Sequence, residues 1–377
     1  MKTQKVNTSS SFLESEKIPV AIVGANGLSG RVLARLLLQH PRAQLVGCLA
    51  RNLQWTLKDD LPEASAQNVP TWSLPEFQAG TVVLPVPVHS VFLATPPEVS
   101  MELAPLFLKA GIEVIDLSGA FRLPQSVFEQ WYQHPHTAAT ELQLATYGLM
   151  PWSSTRIKES PAPALISNAG CYASSILMAL IPLLQKHLLD PNSVVIDAKS
   201  GTSGAGLKAK ENLLFTEVDE DSLPYKVGTH QHLPEIIHHL QKFTGQLIDP
   251  HFSTTLIPLR RGINASIYAH FLEKNLEQEQ LLELIRNAFD DAYRGYPLVK
   301  HGPLGLSAKG DNQLLSLRKV AGSCRTHISY NVVGHKLYLF STVDNLLKGA
   351  ASGALENWNA LQGFPLDLGL MNHEGLL

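Results

Sequence analysis

The sequence has little cysteine. Its three residues, Cys48, Cys171 and Cys324, are far apart, odd in number and outside any CxxC spacing, which excludes a disulfide framework and a zinc knuckle and fits a reducing cytoplasm. It also lacks an excess of positive charge: 30 Lys and Arg stand against 33 Asp and Glu. No basic field is present to grip a nucleic-acid backbone or an acidic membrane surface. No segment reaches the roughly 18 unbroken apolar residues of a membrane span. The opening stretch, MKTQKVNTSSSFLESEK, has no apolar signal core and reads over residues 1–16 as a loose tail. What the chain does have is length and apolar content: 377 residues, 45% hydrophobic, enough for a large core and two domains.

From Ile18 the pattern alternates. A short apolar run, Ile18 to Val23, leads through a glycine turn into the helical stretch Val32 to Gln39, and AQLVGCLA follows as a second strand. SVFLATPP, VSMELAPLFLKAG and IEVIDLS continue the alternation, with strands apolar on both faces, as a covered parallel sheet requires. A Rossmann-type doubly wound α/β domain is predicted over 17–170. Beyond Cys171 the candidate strands SVVIDAKSG, HFSTTLIPL, INASIYAHFL and KLYLFSTV include runs that alternate polar and apolar residues, around an amphipathic helix near Gln278 to Tyr293. That predicts an α+β catalytic and dimerisation domain over 171–343, with a mixed, largely antiparallel sheet and one open face. DNLLKGAASGALENWNAL reads as a closing helix that returns residues 344–377 to the first domain.

Several motifs carry chemistry. Gly24, Gly27 and Gly30 form GxxGxxG directly after a strand and opening a helix, where glycine lets the backbone approach a pyrophosphate and the helix start attracts its charge. A purely structural tight turn is the competing reading. The second strand ends in CLARN, without an acidic residue at its tip; Arg51 stands there, and its guanidinium suits the 2′-phosphate of NADP, unless it is an ordinary solvated side chain. Cys171 follows SNAG and opens a long apolar helix, YASSILMALIPLL, a position where the helix end favours a thiolate and lowers the thiol pKa. Buried cysteines are more often inert, but Asn168, Gly170 and Ser174 beside it can supply oxyanion donors and room for a carbonyl. In GTHQHLPEII, His230 and His232 offer an acid/base partner, with a metal pair or a packing role as alternatives. The loop KSGTSGAGLKAKENLLF carries Lys208 among glycines, and LIPLRRGI carries Arg260 and Arg261, groups that could hold an anionic substrate.

Taken in order, GANGLSG, ATPPEVS, DLSGAFRL, YGLMPW, NAGCYAS, SGTSGAGLKA, HQHLPEI, IPLRRGI and DNLLKGAA resemble the N-acetyl-γ-glutamyl-phosphate reductases, NADP-dependent enzymes of arginine biosynthesis related in architecture to aspartate-semialdehyde dehydrogenase. The resemblance covers nearly the whole chain from Ile18 to Leu361. It implies that Cys171 is the nucleophile, that His232 is the acid/base with His230 in support, and that Gly24, Asn26, Gly27, Leu28, Ser29 and Gly30 cradle the NADP phosphates. Thr95, Pro96, Ser118, Ser203, Gly204 and Asn345 fall where the family lines the cofactor site, and Asn168, Lys208, Arg260 and Arg261 are expected around the substrate. The implied reaction is NADPH reduction of an acyl phosphate through a cysteine thioester, in a homodimer or homotetramer with no metal. The chain departs from the family pattern at Ala169 and Ala173, where proline is common, and in YGLMPW, which lacks the usual Pro-Glu. Aspartyl or carrier-linked aminoadipyl phosphate are alternative substrates. A cofactor-free cysteine hydrolase or acyltransferase and a non-catalytic NADP-binding regulator are alternative functions.

Overall fold

A computed structural model describes residues 17–50, 54–62, 64–73, 84–207, 210–304 and 314–371. The expected tail over 1–16, Arg51 and Lys208 lie outside the described residues.

The first half builds one sheet from β1 (Ile18–Val23), β2 (Ala43–Ala50), β3 (Thr71–Ser73), β4 (Ser90–Leu93), β5 (Glu113–Asp116), β6 (Thr146–Gly148) and β7 (Leu165–Asn168). Its order is β3-β2-β1-β4-β5-β7-β6, and every neighbouring pair runs parallel. The short apolar strands explain why. On β1, Val20 and Ile22 enter one core with Leu33 and Leu37 of the helix Leu28–Gln39, while Ala21 and Val23 enter another with Met101 and Phe107 of the helix Pro97–Lys109. A strand buried on both faces needs helices on both sides, which is the doubly wound arrangement expected from the sequence. The strand order reverses at β1, so the crevice for a ligand opens between the carboxyl ends of β1 and β4.

The second sheet comprises β8 (Val195–Ser200), β9 (Leu223–Pro224), β10 (His251–Leu256), β11 (Ile263–His270), β12 (Val299–Pro303), β13 (Thr326–Val333) and β14 (Lys336–Val343), in the order β12-β13-β14-β11-β8-β10-β9. The pairs β8/β10 and β12/β13 are parallel and the rest antiparallel, the mixed sheet the alternation predicts. Ile196, Ala198, Ile267 and Leu339 point inward, sharing one core with the helix Cys171–Gln185. Val195, Tyr268 and Val333 are exposed, so the other face is open. The helix Ser352–Leu361 returns to the first sheet, where Trp358 donates its Nε1–H to Ser90 Oγ at 3.1 Å and Asn357 donates to the Gly148 carbonyl at 3.2 Å.

Candidate active site

The crevice at the strand-order reversal is shaped by two glycines, Gly24 and Gly30, that leave no room for a side chain. Gly24 turns with φ +80°, and a Cβ there would lie 2.5 Å from the Ala94 carbonyl oxygen. A Cβ on Gly30 would lie 2.3 Å from the Gly24 oxygen, so the helix start presses directly on the turn. Gly27 precedes the helix in extended conformation with no side chain capping its first amides, which leaves those N–H groups for an anion. The cavity beyond, ≈420 Å³, is lined by Gly27, Leu28, Ser29 and Gly30 at one end and by Cys171, Ser203, Gly204 and Asn345 at the other, with Thr95 and Pro96 between. A bare helix start, glycines too crowded for a side chain, and a groove that ends at a thiol fit a dinucleotide whose reactive ring reaches the cysteine. Gly24, Asn26 and Ser118 stand outside this lining. Gly24 shapes the turn, the Asn26 carbonyl accepts from Arg31 Nε at 3.0 Å, and Ser118 donates to Asp116 at 2.8 Å and accepts from Ala120 N–H at 3.0 Å.

Cys171 is the first residue of its helix, and the loop before it is held from three directions. Gly170 N–H donates to Glu235 Oε1 at 2.8 Å, and Tyr147 OH donates to the same oxygen at 2.8 Å. The buried Arg122 donates its Nε–H to the Asn168 carbonyl at 2.8 Å and its Nη2–H to the Leu117 carbonyl at 2.7 Å, while Nη1 faces Glu235 Oε2 at 3.4 Å. From the other side a π-helical turn, Leu347–Ala351, packs so closely that a Cβ on Gly349 would lie 2.7 Å from Cys171 Cβ. That turn is anchored by Asp344, which accepts from the Leu346, Leu347 and Gly322 amides, and by the buried pair Lys348–Glu356 at 2.7 Å.

His232 opens the helix His232–Thr244, one turn before Glu235, and its Nε2 sits over Gly170: a Cβ on that glycine would meet it at 2.3 Å. His230 accepts the His232 backbone N–H on its Nδ1 at 3.1 Å and lies edge-on to Tyr172 and Tyr225. Both imidazoles line a second cavity of ≈550 Å³ together with Cys171. Cys171, Gly204 and His232 line this cavity and the glycine crevice alike, so thiol and imidazole stand where the two meet. Burial, with help from Arg122 and Lys226, holds His232 down at about 3, and burial and His232 lower His230 further, so both rings are neutral at neutral pH. The thiol departs from expectation. Burial pushes Cys171 up to about 11, outweighing Arg122 and the helix-start amides that favour the thiolate. The resting pair is thiol and neutral imidazole.

Other expected contacts are spent elsewhere. Asn168, expected as an oxyanion or substrate donor, instead donates its amide to the Ala169 and Ala350 carbonyls and accepts from Asn357 on its oxygen, so it ties the cysteine loop to the closing helix. Arg261 turns to Asp344 at 3.1 Å, and Arg260 lines a separate recess with Phe215 and Leu259, so neither lines the Cys171 cavity. Among the described residues, the lysines and arginines that do line it are Lys210 and Lys226. Arg122, Glu235, Tyr147 and Gly349 have no role assigned from the sequence, although Arg122 and Glu235 place a charge inside the motifs DLSGAFRL and HQHLPEI. Among the described residues no group of three or more His, Cys, Asp or Glu side chains could hold a metal ion, and no helix is long and apolar enough to cross a membrane.

The fold and the sequence both have counterparts in known proteins. Residues 19–160 match the family model "Semialdehyde dehydrogenase, NAD binding domain" and residues 171–345 match "Semialdehyde dehydrogenase, dimerisation domain". Fold and site thereby define a nicotinamide-dependent oxidoreductase of the semialdehyde dehydrogenase class. The solved aspartate semialdehyde dehydrogenase II of Vibrio cholerae, complexed with ASA, shares the fold at TM-score 0.66 and 16% identity, over 93% of this chain and 99% of that one. A probable aspartate-semialdehyde dehydrogenase from Pseudomonas aeruginosa does so at TM-score 0.65 and 20% identity, over 92% of this chain and 99% of that one. In sequence, the N-acetyl-gamma-glutamyl-phosphate reductase of Halalkalibacterium halodurans is 36% identical over 93% of this chain and 97% of its own length, and that of Streptococcus mutans 34% identical over 92% and 98%. The chain belongs to the N-acetyl-gamma-glutamyl-phosphate reductase family.

Proposed function

We propose that this chain reduces N-acetyl-γ-glutamyl phosphate to N-acetyl-glutamate 5-semialdehyde with release of phosphate, as a step of arginine biosynthesis. The observation that carries the reading is that Cys171 and His232 line both the glycine crevice and the neighbouring cavity. A thiol at that junction can hold an acyl group within reach of a bound nicotinamide.

In this mechanism Cys171 Sγ attacks the acyl carbonyl while His232 takes the thiol proton. The tetrahedral adduct collapses with cleavage of the C–O bond to phosphate, which leaves with the electron pair and picks up the proton from His232. A thioester remains on Cys171. Gly27 to Gly30, Thr95, Pro96, Ser203, Gly204 and Asn345 line the crevice that would hold the dinucleotide, which when bound would supply the hydride for reduction of the thioester. The C–S bond of the resulting hemithioacetal then breaks, aldehyde departs, and the thiolate regains a proton through His232. Burial keeps the His232 imidazole in its neutral form and makes it a weak base, so it takes the thiol proton only as the sulfur bonds to the carbonyl, and as a destabilised cation it gives the proton up readily. Between the two histidines, His232 is favoured as the base because its Nε2 overlies Gly170, the neighbour of the nucleophile.

NADP is the preferred dinucleotide in this reading, from Arg51 in the sequence stretch CLARN and the lack of an acidic residue in that stretch. Equal losses of NADP and NAD affinity in Arg51→Ala would remove that role. The chain works as a homodimer or homotetramer in the cytoplasm, where its three unpaired cysteines stay reduced; the open face of the second sheet, with Tyr268 and Val333 exposed, suits association.

The substrate is tested by the reverse reaction, following NADPH absorbance with phosphate, NADP and one of three aldehydes: N-acetyl-glutamate semialdehyde, aspartate semialdehyde or the carrier-linked aminoadipate semialdehyde. The expected result is phosphate-dependent turnover favouring the first by at least about tenfold in kcat/KM. A preference for either of the others would replace the substrate and keep the chemistry, and no turnover with any would support a regulator.

A further inference from the structure

The ≈550 Å³ cavity beside Cys171 has a polarity that the mechanism above does not use. Lys226 and Lys210 line it, and no ion pair among the described residues engages either. Glu98 is the one carboxylate among the described lining residues, and no ion pair joins it to either lysine. Lys226 donates to the neutral amide oxygen of Gln231 at 2.5 Å, which steadies the ammonium without cancelling its charge. The backbone beneath it is also unusual. Lys226 sits at φ +47°, in the left-handed region that a residue with a side chain seldom occupies, and its carbonyl accepts from Thr229 N–H at 3.0 Å in a turn completed by Gly228 at φ +67°. Residues held in that region gather at ligand clamps, where the surrounding structure fixes them. Burial first, and then the charge of Lys210 in the same lining, hold the Lys226 ammonium below its ordinary value, so an arriving anion is favoured by both lysines.

We propose that Lys226, backed by Lys210, is the anion-binding pole of the substrate cavity, taking a carboxylate or phosphate group of the substrate while its acyl carbon meets Cys171. The inference rests on the acyl-phosphate reading and adds to it the residue that selects an anionic reactant. It also joins binding to chemistry. The charge of Lys226 acts on both His230 and His232, so an anion seated on the lysine relieves part of what keeps the imidazole from accepting a proton.

The test separates the two anions because the reverse reaction supplies them as different molecules, the carboxylate on the aldehyde and the phosphate alone. Steady-state kinetics of the full chain are measured with each reactant varied in turn, for wild type, Lys226→Met, Lys226→Arg and Lys210→Met. The expected result is a rise of at least about tenfold in one KM for Lys226→Met, the loss of a charge-assisted hydrogen bond, with a smaller rise for Lys210→Met and recovery in Lys226→Arg. A rise confined to phosphate assigns the pole to the leaving group, and one confined to the aldehyde assigns it to the carboxylate. A fall in kcat with neither KM moved, or Lys226→Arg no better than Lys226→Met, overturns the proposal.

A second readout does not need turnover: the rate at which iodoacetamide alkylates Cys171, with inorganic phosphate or N-acetyl-glutamate present. Protection of wild type but not of Lys226→Met upholds the pole even if the semialdehyde proves to be the wrong substrate. Equal protection of both proteins, or of neither, contradicts it.

Discussion

Glu235 accepts the Gly170 N–H at 2.8 Å, and this bond joins the helix that carries His232 to the loop that carries Cys171. Base and nucleophile come from segments far apart in the chain, and this carboxylate, which shares its oxygen with the Tyr147 hydroxyl, is one of the ties that fix their separation. Glu235 is fully buried and faces Arg122. Glu235→Ala is expected to cost about 3–5 kcal/mol of stability, since it leaves the guanidinium buried without its partner, and to lower kcat more than nucleotide affinity. Glu235→Gln keeps an oxygen for Gly170 and should retain far more of both. Denaturant unfolding and steady-state kinetics on the two variants check this, and equal behaviour of Gln and Ala would remove the positioning role.

The thiol makes a prediction about pH. With Cys171 pushed up to about 11 by burial and His232 neutral, the free protein holds little thiolate at pH 7. Alkylation of Cys171 by iodoacetamide should be slow there and climb through pH 9 and above, later than an ordinary thiol of pKa about 8.5. A midpoint below pH 7 would mean a preformed thiolate and imidazolium pair instead.

Gly349→Ala places a methyl group 2.7 Å from Cys171 Cβ, with the π-helical turn held from behind by Lys348 and Glu356. The turn cannot give without breaking that buried pair, so the cysteine must shift. A loss of at least about tenfold in kcat is expected, because a misplacement of an ångström at a nucleophile is costly, together with about 1–3 kcal/mol of destabilisation from overpacking. Wild-type kcat in this variant would show that the contact is not critical.

Several histidines are kept neutral by burial. His40 is held at about 4, and His232 and His239 at about 3, against an ordinary 6.5. Each binds a proton more readily when the chain is unfolded, so its contribution to stability is complete above pH 6.5 and is lost as the pH falls from there toward the folded value. The slope is about 1.4 kcal/mol per pH unit for each such group. The melting temperature should therefore drop between pH 7 and pH 5, and a flat or rising profile over that interval would contradict the burial of these rings.

The elements that locate the site were legible because they are local. A glycine turn between a strand and a helix, a cysteine at a helix start and an H-x-H segment each lie within about a dozen residues. Arg122 and Glu235 were not, because a single charge inside DLSGAFRL or HQHLPEI reads as solvated until the fold buries the two together across 113 residues of sequence. Asn168 misled for the complementary reason. An amide beside the nucleophile suggests a free donor, and only the return of the closing helix, with Asn357 and Ala350, shows that its hydrogen bonds are already made. The direction of the thiol shift was missed in the same way, since the helix start is visible in sequence and the desolvation around it is not.

The central claim is that the acyl group is carried on Cys171, and intact-protein mass spectrometry tests it most directly. Mixing the protein with N-acetyl-γ-glutamyl phosphate in the absence of reduced nucleotide should add the mass of one N-acetylglutamyl group, located to the peptide containing Cys171 and absent in Cys171→Ala. Turnover without any such adduct, or an adduct that persists in Cys171→Ala, would contradict the account.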